Sequence, residues 1–375
     1  MNRSLFFVAA ALLLWGFGEG MFYSFVPIYL DVQFHLSEYQ IGLVLGAFGF
    51  SSAITHIPAG RLSDRIGRRP LLIIAWLLGL FSTAVMGSAL ALPLFLIGLF
   101  GYGLTAFVSS PLSSYVTAAR GKWSVSMVLS LTSATFGLGM VLGPVTGGWI
   151  GDHYGMRMSF WVAAAVFVLS NLFIFFIGKQ PIDHHDLESP PPGLMKNQRF
   201  VGLMGVLTFA IFSMYLAQPL TPNFLNGVRG LSLGKTGIIF TAGALGNSLM
   251  AMIFSRAEPR FGFLISQVLV ILFALFIWKG TSLPVFVLGY FLLGGFRSGR
   301  LLVSAQAREL VHDSQMGITY GVIETISAVI FILTPPLAGF LYERDPMILY
   351  PLGIGLIAVS ILVSYIFMLR KVVYA

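Results

Sequence analysis

The chain contains no cysteine, and charged residues make up only 10% of its 375 positions. The first absence excludes disulfides, thiolate metal sites and cysteine nucleophiles. The second excludes a soluble globule, which needs far more polar surface. Long polar stretches are scarce too: the one that stands out is KQPIDHHDLESPPPGLMKNQR, residues 179–199, with three consecutive prolines and mixed charge. Nothing alternates apolar and polar over ten-residue units, so a β-barrel is not expected. No Ser–His, Cys–His or two-histidine metal arrangement points to an enzyme. His184 and His185 read as solvated linker, and His56 has no second ligand at metal spacing. No metal and no cofactor are expected.

What remains is apolar. Hydrophobic residues make up 57% and mean hydropathy is +0.88. The chain divides into twelve apolar runs, approximately 4–30, 39–59, 70–90, 93–118, 124–150, 159–178, 200–225, 235–255, 262–278, 283–308, 315–341 and 347–369. A helical rise of about 1.5 Å per residue lets runs of this kind cross about 30 Å of hydrocarbon. The fold class read from this is an all-α integral membrane protein with twelve transmembrane helices. A net charge of +8 would suggest a nucleic-acid partner in a soluble protein; here it reads as topology. When loops are assigned alternately, Arg3, Arg61, Arg65, Arg68, Arg69, Arg120, Lys122, Lys179, Lys196, Arg199, Arg256, Arg260, Arg308, Arg370 and Lys371 share one side, leaving few basic residues for the other. That asymmetry puts both termini in the cytoplasm of a cell carrying the chain in its plasma membrane. Arg3 before an apolar run looks like a signal peptide, but the run continues to about Leu30, which reads as a retained first helix.

The sequence repeats itself. A shift of 195 positions sets FVPIYL (25–30) on LTPNFL (220–225), so that Pro27 meets Pro222, Ser37 meets Ser232, Gly42 meets Gly237 and Arg61 meets Arg256. A shift of 191 sets LPLFLIG (92–98) on LPVFVLG (283–289) and GPVTGG (143–148) on TPPLAG (334–339). Two pseudo-symmetric six-helix bundles are therefore expected, at 1–178 and 200–375, joined by a cytoplasmic linker at 179–199. Parallel repeats of this kind are a transporter architecture, with the substrate site near the midplane.

Two motifs sit on this frame. GRLSDRIGRRP, residues 60–70, clusters Arg61, Arg65, Arg68 and Arg69 around Asp64, which requires a water-facing cytoplasmic turn. GMVLGPVTGG, residues 139–148, repeats glycine at 139, 143 and 147, which leaves a smooth face for close helix packing. The spacing Gly60, Asp64, Arg65, Gly67, Arg68, Arg69 resembles the loop between helices two and three of the major facilitator superfamily. The set Gly139, Gly143, Pro144, Gly147 and Gly148 is similar to the helix-five pattern of its antiporters. The resemblance implies that both motifs serve gating. It implies, further, that Asp64 latches the halves near Ser314, and that helices one, four, seven and ten line the cavity. Helix four, around GLFGYGLTAF (98–107), lacks the arginine many proton-driven exporters of that family have there.

Buried charge is the third signal. Glu19, Arg297, Arg300 and Glu324 lie inside apolar runs, where each costs about 2.5–3.5 kcal/mol on the mildest insertion scale. Glu19 and Glu324 are candidates for proton coupling. Tyr23, Gln218, Arg297 and Arg300 are candidates for substrate binding, the alternative being that an arginine and Glu324 form a static ion pair. The glycines 16, 18 and 20 are expected to leave room beside Glu19. GLSLGKT (230–236) mimics a hydrolase elbow and a phosphate loop, but no strand precedes it.

The function expected is secondary active transport of a small organic solute by alternating access, as proton-coupled efflux. The rival is proton-coupled uptake of an organic anion, and the different-class rival is a receptor or scaffold that no longer transports. Expected partners are the solute and the lipid bilayer, without nucleic acid, and a monomer suffices.

Overall fold

The computed structural model describes residues 3–55, 66–178, 197–308, 310–311 and 316–369. No strand occurs among them, and eleven of their helices are long and apolar enough to cross a membrane. In chain order, α1 is Arg3–Phe34, α2 Glu38–Ile54, α3 Arg68–Ser88, α4 Leu92–Ala118, α5 Val125–Tyr154 and α6 Met156–Phe175. The second set is α7 Gln198–Tyr215, α8 Leu233–Phe254, α9 Pro259–Lys279, α10 Leu283–Arg308, α11 Met316–Arg344 and α12 Leu349–Leu369. The second expected span is present as α2, 17 residues long where its description ends.

Breaks fall in a pattern. The first span passes through a 3₁₀ turn at Tyr23–Phe25 and the fourth through one at Thr105–Val108. The seventh stops at Tyr215, restarts at Thr221–Asn223 and runs into a π-turn at Phe224–Val228. The tenth is two pieces, Leu283–Leu292 and Gly294–Arg308. Pro27 and Pro222 stand just after two of these breaks, each in a first helical turn where its missing N–H costs nothing. Helices α3, α5, α6, α8, α9, α11 and α12 run unbroken over their described lengths, even through Pro144 and the pair Pro335–Pro336.

The chain forms two compact units, Met1–Leu36 with Ala47–Asp186 and Leu225–Thr241, and Ser37–Gly46 with Leu187–Phe224 and Ala242–Ala375. In the first, α1 packs mainly on α5 and α6, and α3 packs on α4 and α6. Its core is aromatic: Trp15 stacks on Phe167 at 4.6 Å and meets Trp76 at 5.0 Å, while Phe22, Tyr29, Phe95 and Phe160 continue the cluster. In the second, α9 packs on α10 and α12, and α7 packs on α12 and α11. Each unit contains a matched polar tie. Trp76 donates to Ser170 at 2.9 Å between α3 and α6, and Ser360 donates to Gln267 at 2.7 Å between α12 and α9. All four side chains are buried, so these bonds satisfy groups that lipid cannot.

Candidate functional site

Glu19 is half-buried on α1 and carries two hydrogen bonds on one oxygen. Trp15, one turn earlier, donates its indole N–H to Oε2 at 3.0 Å, and Tyr102 on α4 donates its hydroxyl to the same atom at 2.8 Å. Packing fixes both donors, since Trp15 and Tyr102 each stack on Phe167, and Phe22 meets Tyr102 edge-on at 5.2 Å. Tyr23, on the same face one turn beyond Glu19, is 39% exposed and its ring lies 5.7 Å from that of Phe48.

The glycines beside Glu19 do not leave the expected room. A methyl at Gly16 would meet the Phe136 carbonyl of α5, one at Gly18 the Phe167 ring, and one at Gly20 the Gly143–Pro144 backbone and ring. They let α5 and α6 come close, and so hold Glu19 in position. The matching face of α5 is the glycine motif. Methyls at Gly139, Gly143 and Gly147 would strike the backbone of Leu13 and Phe17, of Phe17 and Gly20, and of Met21. The rest of the motif serves a different neighbour: Pro144 offers its carbonyl side to Gly237, and Gly148 lies against the Leu233 carbonyl of α8.

Of the arginine loop, Gly60, Arg61, Asp64 and Arg65 lie outside the described residues, as do His56 and Ser314. Gly67 caps α3 with φ 84°, a backbone conformation that requires glycine. Arg69 donates to the carbonyls of Ile177 and Phe175 at 2.8 and 3.1 Å, closing the C-terminal end of α6, and Arg68 reaches the Ser114 carbonyl at 3.4 Å. Lone carbonyls at a helix end attract cations, so these two arginines tie α3 to its neighbours.

In the second unit, Arg300 on α10 directs Nη2 to both oxygens of Glu324 on α11, at 3.1 and 3.3 Å. The pair is asymmetric: the Arg300 side chain is 22% exposed and that of Glu324 73%. The Arg300 guanidinium also lies over Phe331 at 5.2 Å, and its Nε is buried with no hydrogen-bond partner. Phe331 belongs to an aromatic group with Tyr215, 4.7 Å away edge-on, and Phe296. Arg297 is exposed one turn before Arg300. Gln218 donates to the Met214 carbonyl of its own chain segment at 2.7 Å.

The structure thus gathers Glu19 with Tyr23 in one unit and Arg300 with Glu324 in the other. Sequence reasoning missed Trp15, Tyr102, Tyr215 and Phe331. Trp15 was within reach, because it stands four residues before Glu19 on a helix. Tyr102 occupies the helix-four stretch singled out for lacking an arginine, but nothing in the sequence aims its hydroxyl at Glu19.

Comparison with known proteins agrees with this architecture. The multidrug resistance protein MdtG of Proteus mirabilis is 26% identical over 350 residues, which cover 88% of this chain and 84% of MdtG. Multidrug resistance protein 2 of Bacillus subtilis is 28% identical over 176 residues, covering 46% of this chain and 44% of its own length. The match thus spans less than half of that relative. Among solved structures, a mutant of the nucleoside transporter NupG superposes with a TM-score of 0.82 at 13% identity, covering 97% of this chain and 98% of the other. The human organic anion transporter MFSD10 gives 0.68 at 19% identity, with 96% and 99% covered. The family model described as Major Facilitator Superfamily matches residues 8–262. Its match, the helical repeat and the membrane spans together place the chain in one family: it belongs to the major facilitator superfamily and is a multi-pass membrane protein.

Proposed function

We propose that this chain exports a small organic solute in exchange for protons, with Glu19 as the group that loads and releases the proton. The observation that carries the reading is the Glu19 carboxylate inside an apolar span, held by the neutral donors Trp15 and Tyr102. The driving force is the proton gradient, without a bound cofactor. The distribution of basic residues supports cytoplasmic termini and the plasma membrane. The names of relatives support export, as they include multidrug and tetracycline resistance proteins and the enterobactin exporter EntS. The two six-helix halves, 1–178 and 200–375, rock about the substrate, and a single chain suffices.

The test uses purified protein in liposomes under an imposed pH gradient, with lumenal pH followed as organic cations, anions and neutral drugs are added. Solute and proton should move in opposite directions, and Glu19→Gln should abolish the coupled flux while sparing exchange. Coupled flux unchanged in the variant removes Glu19 from the proton path.

One observation favours a second reading. Arg300 has an unpartnered buried Nε beside an exposed Glu324 and an aromatic group. A planar organic anion taking over the guanidinium while Glu324 is protonated would move with the proton, giving uptake. Parallel solute and proton fluxes in the same liposomes would select it.

A further inference from the structure

The repeat carries a second correspondence, at the ends of the helices opposite the arginine loop. In the last turn of α5, Asp152 accepts the backbone N–H of Leu233 on Oδ1 and of Gly234 on Oδ2, both at 2.8 Å. Leu233 and Gly234 are the first two residues of α8. In the last turn of α11, Glu343 accepts the backbone N–H of Tyr39, the second residue of α2, at 3.0 Å, and the Ser37 hydroxyl is a further donor to it. The shift of 191 that aligns the helix-five motif with its copy carries Asp152 onto Glu343, and the shift of 195 carries Tyr39 onto Gly234.

The packing beside these bonds repeats as closely. Gly237 lies against the Pro144 carbonyl, and Gly42 against the Pro335 carbonyl; Gly148 lies against Leu233, and Gly339 against Glu38. The Gly234 and Tyr39 bonds correspond under the repeat, as does the chemistry of a carboxylate on a helix N-terminus. Both contacts also exchange a segment between the repeats. The compact unit built on the first half includes Leu225–Thr241, and the unit built on the second includes Ser37–Gly46.

We propose that Asp152 and Glu343 are paired positioning residues of the transport step, a double latch that holds α5 on α8 and α11 on α2 when the outer side is closed. The free N–H groups and positive end of a helix attract a carboxylate, and the bond vanishes within a turn's displacement. A contact of that range stabilises one end state and leaves the motion itself unopposed. Alternating access in a two-half transporter requires both edges to part together, so the duplicated latch gives one cooperative closure rather than two independent caps. The inference rests on transport itself and holds for either direction and either coupling.

The absence of native cysteine makes the test direct, because introduced cysteines are the only labelling sites. Spin labels at Tyr154 and Lys235 report the α5–α8 edge, and labels at Leu43 and Arg344 report the α2–α11 edge, in full-length protein in lipid nanodiscs. Asp152→Asn and Glu343→Gln keep an acceptor oxygen and remove the charge, so folding is spared. Each variant should raise the long-distance population at both edges, its own and the other, by about fivefold, and the double variant by about 25-fold. A change confined to the mutated edge, or a lowered melting temperature with distances unmoved, would show that the carboxylates are local helix caps and overturn the latch.

Discussion

Tyr102 donates its hydroxyl to Glu19 Oε2 at 2.8 Å, joining α4 to α1 across 83 residues of sequence. Tyr102→Phe keeps the ring on Phe167 and Phe22 and deletes only that donor. The carboxylate loses one of the donors that position it, so coupled transport should fall about five- to tenfold. Exchange of solute without net proton movement should stay near the wild-type rate. Coupled rates that match wild type at every pH would separate Tyr102 from the proton step.

The glycine face of α5 makes a stability prediction with an internal control. Gly147→Val places a branched side chain against the Met21 backbone, a clash that side-chain rotation does not relieve, and should lower folded stability by about 2 kcal/mol or more. Gly205→Ala on α7 meets nothing within 4 Å and should be neutral or stabilising by about 0.5 kcal/mol. Melting temperatures in detergent would separate the two, and equal values would show that α1 and α5 are not held by close backbone packing.

The Arg300–Glu324 pair distinguishes scaffold from site by a double-variant cycle. If the pair is only structural, Arg300→Ala and Glu324→Ala should each cost about 1 kcal/mol, the partial exposure of both partners keeping the figure small, and the double variant should regain transport. If Arg300 holds an anionic cargo, Arg300→Ala and the double variant should both lose uptake of organic anions at least tenfold. Flux measured with a radiolabelled aromatic carboxylate reads the difference.

Gln267 tests how much a buried polar tie contributes when its partners can fall back. Gln267→Leu removes the acceptor for Ser360 and the donor to Ser364. Serine hydroxyls in a helix can return to their own backbone carbonyls. The loss should therefore be only about 1 kcal/mol, read as a lower melting temperature with transport intact.

The sequence showed most of the frame and little of the wiring. Spans and repeat were legible because hydrocarbon admits only long apolar helices and because the duplication left Pro27 on Pro222 and GPVTGG on TPPLAG. Glu19, Arg300 and Glu324 were legible through their cost in lipid, and the structure selects Arg300 over Arg297 as the partner of Glu324. The donors to Glu19 were not, since helix rotation decides where the Tyr102 hydroxyl points. The helix caps at Asp152 and Glu343 were hidden for a different reason. An acid at the end of a span reads as ordinary solvated surface until the chain brings another helix's first turn to it. The glycines near Glu19 were misread because the absence of a side chain looks like space, and here it is filled by a neighbouring backbone.

The interruptions in α1, α4, α7 and α10 have a consequence of their own. In each repeat of six, the first and fourth spans are spliced from two pieces, and the rest run as single struts through their described lengths, apart from α2, whose description ends early. A spliced rod changes its angle at the joint without surrendering the packing at either end. Each unit carries two such joints, so each can bend its own backbone as well as move its side chains. Stiffening one joint, for example with alanine at Gly227, where a methyl meets nothing within 4 Å, should then slow the transport cycle without lowering the melting temperature.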